Sequence, residues 1–126
     1  MNVVAWVLQG LLALVYLLHG TLYAVSPEPL VRGMRDQGQW PPAIPDAFRR
    51  FIGIAEYAAA VGLVVPGLIH FATWLTPLAA LGLAIVMVGA AVFHARRGET
   101  AAVAAAIVLL VLIAFTGYVR WQVVPL

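Results

Sequence analysis

A four-helix membrane bundle, all-α and built as a single domain over residues 1–126, is the fold this sequence predicts, and three observations predict it. Apolar residues make up 64% of the chain and charged residues only 10%, with a mean hydropathy of +1.02. Soluble domains carry about 25% charged residues, so this chain lacks the polar surface that water demands. The apolar residues also gather into four runs, each near the roughly 20 residues a helix needs to cross the hydrocarbon. Between the runs stand proline, glycine and charged residues, which end helices and favour water.

The first run, Val3–Val25, ends at Ser26-Pro27-Glu28-Pro29, where two prolines remove helix donors. It has no basic residue ahead of its apolar stretch and is longer than a secretory h-region, so it is expected to stay as a helix. The second run extends from Asp46, a candidate N-cap, to about Pro66, with Pro66-Gly67 as the stop. The third covers residues 76–94, with Thr76 as its cap and Pro77 suited to the first turn. Glu99-Thr100 opens the fourth, which continues to about Trp121. Acidic or hydroxyl residues at the start of spans two, three and four suit the positive end of each helix dipole. A short connection makes spans two and three antiparallel neighbours.

Loop one is long, about 20 residues against about 2–8 for most helix connections in bundles. Its first part, Glu28-Pro29-Leu30-Val31-Arg32-Gly33-Met34-Arg35, suits a short amphipathic turn at the lipid surface. Trp40-Pro41-Pro42-Ala43-Ile44-Pro45 reads as stiff, extended chain with an aromatic at interfacial depth. The loop serves either as a surface anchor or as a lid over a cavity between the helices.

All seven basic side chains are arginine. Arg32, Arg35, Arg49, Arg50, Arg96 and Arg97 belong to loops one and three and their flanks, leaving Arg120 on the other side. The positive-inside rule then places loops one and three in the cytoplasm and both termini outside. The scatter of these arginines argues against nucleic-acid binding. The absence of cysteine excludes disulfides, thiolate chemistry and cysteine-bound zinc or iron–sulfur clusters.

Within the spans the polar residues are few. Glu56 lies six residues past Arg50, hence about 9 Å below the loop-one surface at the rise of a helix. His19 lies six residues before Val25, at about the same depth. Helices joined by one loop tend to be neighbours, so the two side chains are expected to meet. Tyr16, His19 and Tyr23 share one face of span one. Tyr57 follows Glu56 but points about 100° away. Gly53, Ala59 and Ala60 leave room beside Glu56, and small residues elsewhere in spans two and three allow close helix packing.

An ionised carboxylate in hydrocarbon must be protonated, paired or set in a polar cavity. Two readings of Glu56 follow: a structural hydrogen bond that ties the bundle together, or an acid/base or ligand-anchoring group in a pocket. The candidate catalytic residues are Glu56 and His19, and Tyr16, Tyr23, Tyr57, Trp40 and His94 are the candidate ligand contacts. His19, Glu56 and His94 also compose a two-histidine, one-carboxylate set of the kind that holds a metal, though their spacing does not require one. Haem ligation by His19 or His94 is a further alternative. His70 reads as interfacial, and Gln9 as making one interhelical hydrogen bond. No nucleotide-binding, nucleophile-elbow or metalloprotease motif is present.

The stretches RRFIGIAEYAAAVGLVVPG and TWLTPLAALGLAIVMVGAAVFHARRGE, with His19-Gly20 near the end of span one, resemble the DoxX-like family of small bacterial four-helix membrane proteins. The likeness covers nearly the whole chain. Glu56, Pro66, Pro77 and His94-Ala95-Arg96-Arg97-Gly98-Glu99 match the family pattern, which assigns none of them a catalytic role. The resemblance implies a bacterial inner-membrane protein. It also implies an association with membrane redox systems, since relatives include a subunit of a thiosulfate:quinone oxidoreductase. The architecture is similar, too, to EXPERA sterol-isomerase and sigma-2-type bundles, where intramembrane acids line a sterol-sized cavity.

Three functions stay open. The first is a binding protein or redox-accessory subunit that holds a small apolar or quinone-like ligand and docks a redox partner protein. The second is an isomerase-type enzyme using Glu56 as acid/base on an apolar substrate. The third is a structural or partner-binding protein without ligand. Homo-oligomerisation is expected, because four short helices bury little surface and glycine faces invite a second copy.

Overall fold

A computed structural model describes residues 1–36 and 44–126. Among them the chain is helical, with no strand: α1 is Asn2–Val25, α2 Glu28–Asp36, α3 Asp46–Leu68, α4 Leu75–Arg96 and α5 Thr100–Tyr118, the last running on into a π-helical turn, Val119–Val123. Four of these helices are long and apolar enough to cross a bilayer. The protein is therefore an integral membrane protein. In space α1 packs on α3, α3 on α4 and α4 on α5, while α5 touches α1 only sparsely. The buried core lies among Leu12, Tyr16, Leu63, Leu83, Met87 and Ile113. Large apolar side chains such as Leu18, Ile54 and Ile85 face outward, as a bilayer solvent requires.

Loop one yields an amphipathic helix rather than a turn. Prolines at 27 and 29 fit its start, Glu28 pairs with Arg32 one turn on, and Val31 is its buried residue. The Trp40-Pro41-Pro42-Ala43 stretch lies outside the described residues.

α3 runs two residues beyond its expected stop at Pro66. Proline has no N–H for the carbonyl four residues back, which leaves Gly62 O without its intrahelical donor. Thr76 Oγ1 of α4 donates to that carbonyl at 3.2 Å. An unpaired carbonyl in hydrocarbon is thereby avoided, and the helix continues. Thr76 is thus an interhelical donor and not a cap: the N-cap of α4 is Trp74. Asp46 likewise sits in the first turn of α3 after the N-cap Pro45, its carboxylate taken up by Arg49 and Arg50. The connection to α4 is tight, with His70 and Ala72 at φ +52° and +48°, left-handed values that side-chain-bearing residues seldom take.

Two arginines that sequence reasoning treats as topology signals are structural. Arg49 is fully buried and donates to Tyr23 O in the last turn of α1 and to Ser26 O of its C-cap residue, while holding Asp46. Arg50 Nη1 donates to Ala24 O at 3.1 Å. Together they cap the C-terminus of α1, whose final carbonyls have no intrahelical donor.

At the opposite end Arg120 is only 3% exposed. Its Nε donates to Gln9 Oε1 at 2.5 Å and its Nη1 to Asn2 Oδ1 at 2.8 Å and Val124 O at 3.1 Å. The guanidinium lies 5.0 Å from the Trp6 ring centroid, a favourable cation–π position. Gln9, for its part, donates to Leu63 O of α3 at 2.5 Å. Gln9 therefore joins α1 to both α3 and the end of α5, where one hydrogen bond was expected.

Candidate functional site

α1 and α3 cross at two glycines. A Cβ placed on Gly20 would fall 2.7 Å from Gly53 O, and one on Gly53 would fall 2.6 Å from Gly20 O and 2.5 Å from Ala24 N. Only glycine permits this backbone-to-backbone approach. The crossing, together with the Arg49 and Arg50 caps, sets the register of the two helices. His19, beside Gly20, then faces Glu56, three residues past Gly53. His19 Nδ1 is hydrogen-bonded to Glu56 Oε2 at 2.5 Å. Glu56 is 1% exposed while the His19 side chain is 41% exposed, so the pair runs from the bundle interior to its surface. The Tyr23 ring stacks against His19 with centroids 4.2 Å apart.

Beside this pair lies a cavity of about 590 Å³. It occupies the gap that α1 and α5 leave at the loop-one end, and all four spanning helices wall it. Tyr16, His19, Tyr23 and Glu56 supply its polar groups, and residues such as Phe48, Ile52, Met87, Phe93, Ala102 and Ala106 its apolar wall. Phe51 and Ile85 also line it and are 65% and 66% exposed, so the cavity reaches the bundle's lipid-facing surface. Its size falls in the range of small-molecule sites, and so does its character, mostly apolar with a few converging polar groups. One of those groups is unsatisfied: the hydroxyl of Tyr16, a residue 2% exposed, has no hydrogen-bond partner among the described residues.

The sequence profile of the DoxX-like family matches residues 7–116. The chain belongs to the DoxX-like family. No curated protein and no solved structure matches it.

The predicted site residues of this DoxX-like protein divide into three groups. Glu56, His19, Tyr16 and Tyr23 gather at one end of the cavity. Tyr57 and His94 do not line it. Tyr57 follows Glu56 by one position, so the helix turn carries it outward, where it is 48% exposed. His94, at the end of α4, is held by Glu99 in the following loop. Trp40 lies outside the described residues. With His94 turned to Glu99, the two-histidine, one-carboxylate set is not assembled, and no cluster of three His, Asp or Glu suited to a metal occurs among the described residues.

Glu99 links the end of α4 to the start of α5. It pairs with His94 and accepts from Arg97 Nε at 2.7 Å, and these partners, His94 foremost, hold its carboxyl below the ordinary glutamate value of 4.5. Sequence reading missed the α4 and α5 wall of the cavity. Its traces are Gly89 with Ala90 and Ala102 with Ala105 and Ala106, small residues that leave the space between the helices unfilled; a Cβ on Gly89 would meet nothing within 4 Å.

Proposed function

We propose that this DoxX-like membrane protein binds a small apolar molecule inside the bilayer, in the cavity at the loop-one end of the bundle, with Glu56, His19 and Tyr16 at the polar end. One observation carries the reading. A void of about 590 Å³ stands against a buried carboxylate–histidine pair and an unpartnered tyrosine hydroxyl. Membrane bundles of this size bury little surface, and an unfilled apolar space beside unsatisfied polar atoms costs packing and hydrogen bonding together. A ligand from the bilayer supplies both. The exposed Phe51 and Ile85 at its wall favour lateral access from lipid.

A quinone-like lipid suits these walls: an isoprenoid-type tail against the apolar residues, ring oxygens toward Tyr16 and Glu56. That ligand would make the protein an accessory subunit of a membrane redox system in the bacterial inner membrane. Arg32, Arg35, Arg50, Arg96 and Arg97 favour loops one and three on the cytoplasmic side. An isomerase-type activity is the second reading, favoured by the direct Glu56–His19 contact, which allows a proton to pass between an apolar substrate and the surface.

Native mass spectrometry of the detergent-purified protein tests the proposal, with Ala106→Phe as the cavity-filling control. The wild type should retain a small apolar mass that Ala106→Phe loses. Equal retention by both would place the ligand elsewhere, and a bare protein from detergent and nanodiscs alike would leave Glu56–His19 as structural glue. A visible spectrum of the same sample reports a quinone or haem chromophore.

A further inference from the structure

The polar end of the cavity specifies what kind of oxygen the ligand carries. Tyr16 is almost completely buried, lines the cavity, and its hydroxyl donates to none of the described residues. Glu56 also lines the cavity; His19 occupies Oε2, and among the described residues no hydrogen bond reaches Oε1. Tyr16 and His19 stand one helical turn apart on the same face of α1, so the idle phenol and the half-engaged carboxylate belong to one polar corner. That corner offers a hydrogen-bond donor and a hydrogen-bond acceptor. A carbonyl or ether oxygen accepts only, and would leave the carboxylate oxygen unpaired in a dry site. A hydroxyl both accepts and donates.

Resting on the cavity-binding reading above, we infer that the ligand presents a hydroxyl group, as an apolar alcohol or phenol, which accepts from Tyr16 Oη and donates to Glu56 Oε1. Among quinone-like lipids this selects the reduced, dihydroxy member over the oxidised dicarbonyl one. His19 acts here as a positioning residue: its bond to Oε2 turns the other carboxylate oxygen toward the cavity. Sites built to pair a ligand hydroxyl reject the analogue that lacks it more strongly than apolar pockets reject a changed outline.

Three probes on one skeleton test the inference: para-hexylphenol, para-hexylanisole and hexylbenzene. They compete for the full-length protein in a single detergent sample, with bound masses read by native mass spectrometry. The phenol should exceed the anisole by about tenfold, the scale of one charge-assisted hydrogen bond. Hexylbenzene should be weakest. Tyr16→Phe and Glu56→Gln should each shrink the preference for phenol over anisole toward parity while binding of hexylbenzene persists. If Glu56→Gln does not fold, Tyr16→Phe decides alone. Equal binding of all three probes to the wild type overturns the hydroxyl inference and leaves the cavity reading standing, provided Ala106→Phe abolishes binding. A preference that survives unchanged in the variants also overturns it. Failure of every probe to bind overturns both.

Discussion

The bundle has two polar clusters inside the membrane, one at each end of α1, and they are built for opposite purposes. At the terminal end Gln9 uses both halves of its amide, donating to Leu63 O and accepting from Arg120, which in turn reaches Asn2 and Val124. At the loop-one end, among the described residues, Glu56 has one hydrogen-bond partner, His19, and the Tyr16 hydroxyl has none. Around the first cluster helices α1, α3 and the end of α5 are drawn together; beside the second α1 and α5 stand apart and leave a cavity. The comparison teaches how to separate glue from site in hydrocarbon. Polar residues are costly in both places, so their presence decides nothing. Among the described residues Arg120 Nη2 and Tyr16 Oη both lack a hydrogen-bond partner. What differs is that Tyr16 and Glu56 line the cavity while Gln9 and Arg120 do not.

The largest effect should come from Gly53→Ala. Its new Cβ meets backbone atoms, Ala24 N at 2.5 Å and Gly20 O at 2.6 Å, so α1 and α3 must separate. A loss of about 3 kcal/mol is expected, read as a lowered Tm in detergent together with lost ligand retention. Unchanged stability would mean the helices are not held this closely. Next comes Arg120→Met at the other end, which strands Gln9 Oε1 and Asn2 Oδ1 and should cost about 2 kcal/mol. Ligand retention should survive it in the fraction that stays folded. Were Tm to hold and retention to vanish, the two ends would have exchanged roles and the contrast would fail.

A matched pair sharpens the contrast further. Thr76→Val removes the donor that Gly62 O needs beside Pro66 and should cost about 1 kcal/mol. Tyr16→Phe removes a hydroxyl that bonds to none of the described residues, and stability should hold or rise by up to about 1 kcal/mol. Comparable losses in both would show that the Tyr16 hydroxyl is engaged after all. The smallest effect belongs to Glu99, half-buried in the loop between α4 and α5. His94 and Arg97 lower its carboxyl from the ordinary 4.5. Its contribution is therefore full above about pH 4.5 and fades as pH falls through the lower folded value. Glu99→Gln should lower Tm slightly at neutral pH and converge with the wild type in acid, whereas a gap that widens in acid would contradict this sign.

Much of the site could be read before the fold was known, and the reason is metric. Helices rise at a fixed rate, so counting from a shared surface places His19 and Glu56 at one depth. The same counting fails for Arg120, because its partner Gln9 is 111 positions away and no local pattern joins them. It fails for Arg49 as well: in sequence a charged residue at a span's edge reads as facing water, yet here it is fully buried because the end of α1 offers carbonyls to cap. Tyr57 is a candidate contact in the sequence, but the helix turn that points it about 100° from Glu56 carries it outward. The break expected at Pro66 did not occur, since Thr76 of another helix took over the orphaned carbonyl.

By itself, then, the sequence determined the solvent, the number of membrane spans and the depth of the His19–Glu56 pair, because hydropathy and helical rise are sums over neighbouring residues. Which arginines are buried, which tyrosine hydroxyl is left idle and where the void lies were decided only by the tertiary structure. Those properties depend on how closely separate helices approach, and that is set by contacts such as Gly20 against Gly53 and Gln9 against Arg120.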